Sequence, residues 1–184
     1  PEIVKAIDSV GIDIYADARV QKLESYKEIK TPKMLLRLPQ HCEIEKVVSF
    51  ADMSLNSELS TIKLLDQEAA KQGKTHKVVL MIDLGDLREG IFFKDEDIIM
   101  STVEEILKLK NIKLHGVGVN LTCYGAVIPK QDNLSTLVEI AGKIESRFNI
   151  KLDMISGGNS SSIYLIDKEG LPEGINSLRV GEAF

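Results

Sequence analysis

The chain has 184 residues, 43% hydrophobic and 28% charged, which suits one domain with a real apolar core and excludes a disordered or collagen-like chain. Asp and Glu outnumber Lys and Arg by 28 to 23, a formal charge of -5, and no basic stretch tracks a phosphate backbone, so nucleic acid is not an expected partner. No apolar run reaches the roughly 18 to 20 residues of a membrane helix, and the opening Pro1-Glu2-Ile3-Val4-Lys5 lacks the build of an export signal.

In chain order, residues 2–10 read as a helix with Gly11 as its C-terminal cap, followed by a strand over 12–16 and a helix over 18–28. Met34-Leu35-Leu36-Arg37-Leu38 reads as a strand stopped by Pro39. A short helix around 43–47 is expected to lead into a strand over Val47-Val48-Ser49-Phe50-Ala51. Leu59, Ile62, Leu65 and Ala69 mark one face of a helix over 57–72 that ends at Gly73. Val78-Val79-Leu80-Met81-Ile82, apolar on both faces, is a buried parallel strand. A helix over 95–110 has acids in its first turn and Lys108 and Lys110 in its last, matching the macrodipole. A strand over 113–119, a helix striped by Leu134, Leu137, Ala141, Ile144 and Phe148, and strands over 151–155 and 177–180 complete the series. Seven strands alternating with helices, with no linker between them, are the signature of an α/β domain with a parallel sheet.

Polar residues gather at one end of each predicted strand: Asp17 and Arg19, Arg37, Asp52 and Ser54, Asp83 to Arg88, Asn120 to Cys123, Ser156 to Ser160, and Arg179 to Glu182. In parallel α/β folds that end builds the sites. Ser156-Gly157-Gly158-Asn159-Ser160 reads as an anion cradle, two glycines admitting the ligand to backbone and hydroxyl donors, with Gly181 as a second glycine to close it. A plain glycine turn capping a helix is the competing reading. In Asp83-Leu84-Gly85-Asp86-Leu87-Arg88-Glu89-Gly90, Asp83 and Asp86 could hold magnesium, but one loop offers few oxygen ligands. The favoured reading is that Arg88 turns into the site to bind a carboxylate or phenolate while the acids position it. His41, His76 and His115 stand singly, and Cys42 and Cys123 lack metal-ligand or disulfide-scaffold spacing, so no metal site is expected and reduced cytoplasmic thiols are.

Those segments, with Gly118-Val119-Asn120-Leu121-Thr122-Cys123-Tyr124-Gly125 and Leu178-Arg179-Val180-Gly181-Glu182-Ala183, resemble the ornithine racemase group of the alanine racemase family, pyridoxal-phosphate enzymes of fold type III, over essentially the whole chain. The same segments are more distantly similar to the pyridoxal-phosphate homeostasis proteins. The resemblance implies a TIM-type (β/α)8 barrel with pyridoxal 5'-phosphate as cofactor. It further implies that Ser156, Gly157, Gly158, Asn159 and Ser160, with the backbone of Gly181 and Glu182, hold the phosphate. Arg179 falls where the family sets an arginine against the pyridine nitrogen, Asn120 where alanine racemase has a ring-stacking histidine, and Arg88 near the phenolic oxygen and the substrate carboxylate. Met81 stands where many relatives have a lysine that braces this arginine, with Asp86 expected to replace it. The family's Schiff-base lysine and first barrel strand would precede Pro1, and the C-terminal β domain would follow Phe184, so residues 1–184 are expected to be a partial, inactive barrel domain of a longer protein.

The implied activity is racemisation of an amino acid by a cytoplasmic enzyme, dimeric as racemases are. The alternatives are a pyridoxal-phosphate binding protein without turnover, or a cofactor-independent racemase in which Cys42 and Cys123 face each other as thiolate and thiol.

Overall fold

The computed structural model describes residues 4, 8 and 11–182. The helix expected over 2–10 lies outside the described residues apart from Val4 and Asp8, both helical. Gly11 follows in the left-handed region, its N–H on the Asp8 carbonyl, as a helix-ending glycine requires. Among the described residues no helix is long and apolar enough to cross a membrane.

The chain divides into two compact units, Pro1–Val78 with Leu109–Lys113, and Val79–Lys108 with Leu114–Phe184. The first contains β1 (Tyr15–Asp17), α1 (Val20–Ser25), β2 (Lys33–Leu35), α2 (Ile44–Phe50), β3 (Met53–Asn56), α3 (Leu59–Gln72) and the start of β4 (His76–Asp83). β1 pairs parallel with β2, and β2 with β3, Met34 facing both Ala16 and Met53 in register. Val20, Leu23, Met34, Val47, Ile62 and Leu65 form its apolar interior, each at most 1% exposed. α3 stops at Gly73, whose left-handed conformation returns its N–H to the last turn.

Here the structure corrects one predicted element. Val47 to Phe50 are not a strand but the second half of α2. Ile44, Val47 and Val48 are its buried positions, spaced three and four apart, so the branched side chains pack as a helix stripe and local β-propensity is overridden. The strand is instead Met53–Asn56, buried at all four positions, with Ser54 and Asn56 breaking the apolar run that would have revealed it. Asp52 consequently stands before β3, not at its C-terminal end.

The second unit holds the rest of β4, β5 (Ile91–Phe92), α4 (Glu96–Leu107), β6 (Ile112–Gly118) from Leu114 onward, α5 (Gln131–Phe148), β7 (Met154–Asn159), a 3-10 turn at Ser160–Ser162, α6 (Tyr164–Lys168) and β8 (Ser177–Arg179). β5, a two-residue strand parallel to β4, was not expected. β6 runs parallel to β7, and β7 to β8 with an irregularity between Ser156 and Asn159. Gly116 lets β6 approach β7: a Cβ there would lie 1.9 Å from the Met154 carbonyl oxygen. β7 begins three residues later than predicted, so Ser156 to Asn159 belong to the strand itself. The last turn of α4 closes before Lys108, leaving Lys110 outside the helix. In chain topology the hydrogen-bonded strand order is β1-β2-β3-β4-β6-β7-β8, with β5 on β4.

Candidate functional site

The second unit brings together the residues singled out between Arg88 and Glu182. Ser156 is fully buried on β7. Gly158 takes φ +117°, where a Cβ would stand 2.6 Å from Ser162 Oγ, and a Cβ on Gly157 would meet Ile175 at 2.7 Å. Only glycine gives the backbone this path. Ser162 Oγ donates to the Gly157 carbonyl at 2.8 Å and fixes the turn. The main-chain N–H groups of Gly181 and Glu182, after β8, both donate to Ser160 Oγ at 3.1 Å, and all three residues are open to solvent at least in part. Two N–H donors thus converge on one hydroxyl oxygen at the end of two neighbouring strands, as an anion-binding nest does.

Arg179 lies behind this cradle. Its Nη1 donates to Ser156 Oγ at 2.5 Å, and its Nη2 to the Val119 carbonyl at 2.6 Å and to Asn120 Oδ1 at 2.7 Å. Gly118 leaves room for the guanidinium, since a Cβ there would lie 3.4 Å from Nη1 and 3.3 Å from Met81 Sδ. Burial pushes the Arg179 pKa down to about 10, against the opposing pull of Glu89, while Arg88 adds to the depression. The group nevertheless keeps its proton at neutral pH, so it can only donate.

From Asn120 the contacts continue. Its Nδ2 donates to Glu89 Oε1, Arg88 Nε donates to Glu89 Oε2 at 3.2 Å, and Arg88 Nη1 to Cys123 Sγ at 3.0 Å. Asn159 Nδ2 reaches the same sulfur at 3.5 Å. Ser156, Arg179, Asn120, Glu89, Arg88, Cys123 and Asn159 therefore form a ring of side-chain contacts that leaves β7 at one residue and returns to it three residues later. The bond to Cys123, helped by Glu89, holds the Arg88 guanidinium above its ordinary range.

Two expectations about the acids are corrected. Asp86 does not brace Arg88: its buried carboxylate accepts the N–H groups of Cys123, Tyr124 and Val127 at 3.0–3.2 Å and so shapes the loop after β6. Asp83 accepts the N–H groups of Gly85 and Leu87 and shapes its own loop. Backbone amides occupy these carboxylates. The acid that pairs with Arg88 is Glu89, to which the sequence reading gave no role of its own, and Cys123, expected at a strand end or as a thiol facing Cys42, is instead a partner of Arg88. The signal for Glu89 was its place beside Arg88. Nothing local revealed the contact of Cys123 with Arg88, which spans 35 positions. Cys42 is exposed on the 3-10 turn His41–Glu43, its sulfur near Gln40.

Comparison with known proteins bears on this geometry. The chain is 58% identical over 182 residues to an ornithine racemase of Acetoanaerobium sticklandii, and 34% identical over 185 residues to a lysine racemase of Thermotoga maritima. It spans about half the length of both, 51% in each case. Among solved structures, an alanine racemase of Clostridium difficile matches 98% of the chain and 49% of its own length with a TM-score of 0.77 at 20% identity. PipY of Synechococcus elongatus, solved with PLP bound, matches 98% of the chain and 84% of its own length with a TM-score of 0.75 at 17% identity. These likenesses show the fold, the parallel βα barrel of the alanine racemases. The family model described as alanine racemase, N-terminal domain, matches residues 2–184, and the chain belongs to that family.

Proposed function

We propose that the protein carrying this chain is a pyridoxal 5'-phosphate-dependent amino-acid racemase acting on a basic amino acid of the ornithine type, with residues 1–184 as its partial N-terminal barrel domain. A cytoplasmic, dimeric enzyme is part of the same proposal. The observation that carries it is the convergence of the Gly181 and Glu182 N–H groups on Ser160 Oγ, beside an arginine fixed by three acceptors. The donor set fits the cofactor. Backbone N–H groups and a hydroxyl, with no carboxylate oxygen among them, suit a phosphate, and the permanently protonated Arg179 suits a ring nitrogen that accepts a hydrogen bond. The ornithine racemase likeness over 99% of the chain supports the substrate class.

Bound in this site, the cofactor supplies the electron sink that makes an amino-acid α-proton removable. The chain's own residues hold and orient. Ser156 to Ser160, with Gly181 and Glu182, anchor the phosphate end. Arg179 donates to the ring nitrogen without giving up its proton, which keeps that nitrogen uncharged and the sink moderate. Arg88, oriented by Glu89, offers its remaining N–H groups to the substrate carboxylate or the cofactor's phenolic oxygen. Asn120 ties Arg179 to Glu89 and keeps both arginines in place.

The test is incubation of the full-length protein with pyridoxal phosphate and L-ornithine in heavy water. Exchange of the α-proton together with loss of optical rotation is expected, and the 184-residue chain alone should show neither. The extensive likeness to PipY favours one second reading, a pyridoxal-phosphate binding protein without turnover. Cofactor binding by the full-length protein with no exchange in ornithine, lysine, alanine or serine would decide for it.

A further inference from the structure

The ring of contacts around the site closes through one sulfur, to which the proposed function gives no role. Cys123 Sγ accepts from Arg88 Nη1 at 3.0 Å and from Asn159 Nδ2 at 3.5 Å, and donates its own hydrogen to the Leu121 carbonyl at 3.4 Å. A thiol has one hydrogen to give and lone pairs to receive. The hydrogen goes to the main chain, and the acceptor side faces two donors, one from the loop after β4 and one from the end of β7.

The main chain beneath the sulfur is fixed in two ways. The Cys123 N–H donates to the two carboxylate oxygens of buried Asp86 at 3.0 and 3.2 Å. Thr122, immediately before it, takes φ +56°, a left-handed conformation that a β-branched residue holds only where its surroundings impose it. The Thr122 N–H and hydroxyl both donate to the Val127 carbonyl, at 2.9 and 3.2 Å. Backbone strain of this kind gathers where a side chain must be aimed, and here the side chain aimed is Cys123.

Its two partners belong to the two ends of the site. Asn159 is part of the anion cradle. Ser161 Oγ donates to Asn159 Oδ1 at 2.7 Å, so the amide oxygen is engaged within the turn and Nδ2 is the end that meets the sulfur. Arg88 has two anchors among the described residues, Glu89 and Cys123, and the bond to the sulfur is the largest influence on its guanidinium. A long side chain half open to solvent points one way only as far as its anchors hold it, because ordering it costs rotamer entropy.

We propose that Cys123 is a positioning residue that couples the anion cradle to Arg88. An anion held at Ser156 to Ser160 fixes Asn159, Asn159 holds the thiol in one rotamer, and the thiol sets the direction in which Arg88 presents its remaining N–H groups to a carboxylate. The inference rests on the reading of the cradle as a phosphate site and does not depend on turnover. The coupling is reciprocal: a carboxylate on Arg88 tightens the anion in the cradle by the same factor.

The experiment titrates the cofactor-free full-length protein with inorganic phosphate, read by calorimetry and by the NMR resonance of the Arg88 Nε–H group, which is assigned by its loss in Arg88→Lys. In the wild type this resonance should shift and saturate along the calorimetric isotherm. In Cys123→Ala phosphate should still bind, but the Arg88 resonance should no longer follow it. Cys123→Ser, which keeps one hydrogen to give and lone pairs to receive, should retain the response. Asn159→Ala cuts the same link from the cradle side and should uncouple Arg88 at saturating phosphate, so the outcome does not hang on the folding of Cys123→Ala. An Arg88 resonance that follows phosphate as well in Cys123→Ala as in the wild type would overturn the proposal, because the link would then run through Arg179, Asn120 and Glu89. A wild-type resonance indifferent to bound phosphate would overturn it too. Absence of phosphate binding by the wild type would remove the cradle and the coupling together. A coupled resonance in a protein that exchanges no α-proton would support the coupling and count against the racemase reading alone.

Discussion

Arg179 shows how one side chain can hold a site together and still be available to a ligand. Its guanidinium satisfies Ser156 Oγ, the Val119 carbonyl and Asn120 Oδ1 at once. Arg179→Met would leave these acceptors without a donor, so it should cost about 3 kcal/mol in urea unfolding, where leaving one such buried group unsatisfied costs about 1–3 kcal/mol. In the full-length protein it should also alter the absorbance of bound cofactor, a change that loss of stability alone does not produce. Arg88 is different. Its side chain is half open to solvent, though that of its partner Glu89 is largely buried, and Glu89 keeps its bond from Asn120, so Arg88→Ala should cost about 1 kcal/mol, while turnover of ornithine by the full-length protein falls far more than cofactor affinity. At this scale the sequence disclosed the residues that stand at strand ends within quoted motifs, Arg179, Asn120 and Ser156 to Ser160. It concealed partners set by the path of a loop. Asp86 looked like a companion of Arg88 two positions away, but Leu87 between them has φ +58°, and the carboxylate serves amides after β6 instead.

Among elements, β6 and β7 are the pair most sensitive to substitution. Gly116→Ala would drive a methyl group into the Met154 carbonyl, and because the obstacle is backbone, the strands must part. This variant should fail to fold or lose more than about 3 kcal/mol, comparable with the largest core lesions. Gly158→Val tests the cradle. Its φ of +117° and the clash with Ser162 Oγ should abolish phosphate or pyridoxal-phosphate binding by calorimetry, and unchanged binding would remove these residues from the anion site. α3 was legible to within two residues at its start, and α5 by its stripe, of which Leu134, Leu137, Ala141 and Ile144 are buried, because their periodicity needs nothing from the rest of the chain. β3 was not, since its polar residues Ser54 and Asn56 are buried along with Met53 and Leu55, and a four-residue segment half polar does not read as an interior strand. Its neighbour α2 carries two adjacent valines that suggest a strand until their partners are known. The cradle was expected in the loop after β7, yet it begins inside the strand, where the irregular pairing with β8 replaces a turn.

For the whole molecule, acid should expose the buried His76, whose Nε2 stands 2.8 Å from Ser54 Oγ. Burial pushes His76 from 6.5 down to about 4 in the folded chain, so the unfolded chain binds the proton more readily. The stabilisation is complete above pH 6.5 and is lost as pH falls from there towards 4, by up to about 3 kcal/mol at 1.36 kcal/mol per unit. Urea midpoints between pH 7 and 4 should show this loss, and His76→Gln should flatten it. A different clock is set by Asp86. One carboxylate holds three amides that lie 37 to 41 positions further along the chain, so those amides share a single latch. In hydrogen exchange Cys123, Tyr124 and Val127 should report one common opening rate, and that shared rate would time how often the rim of the site comes apart and reassembles while the rest of the barrel stays closed.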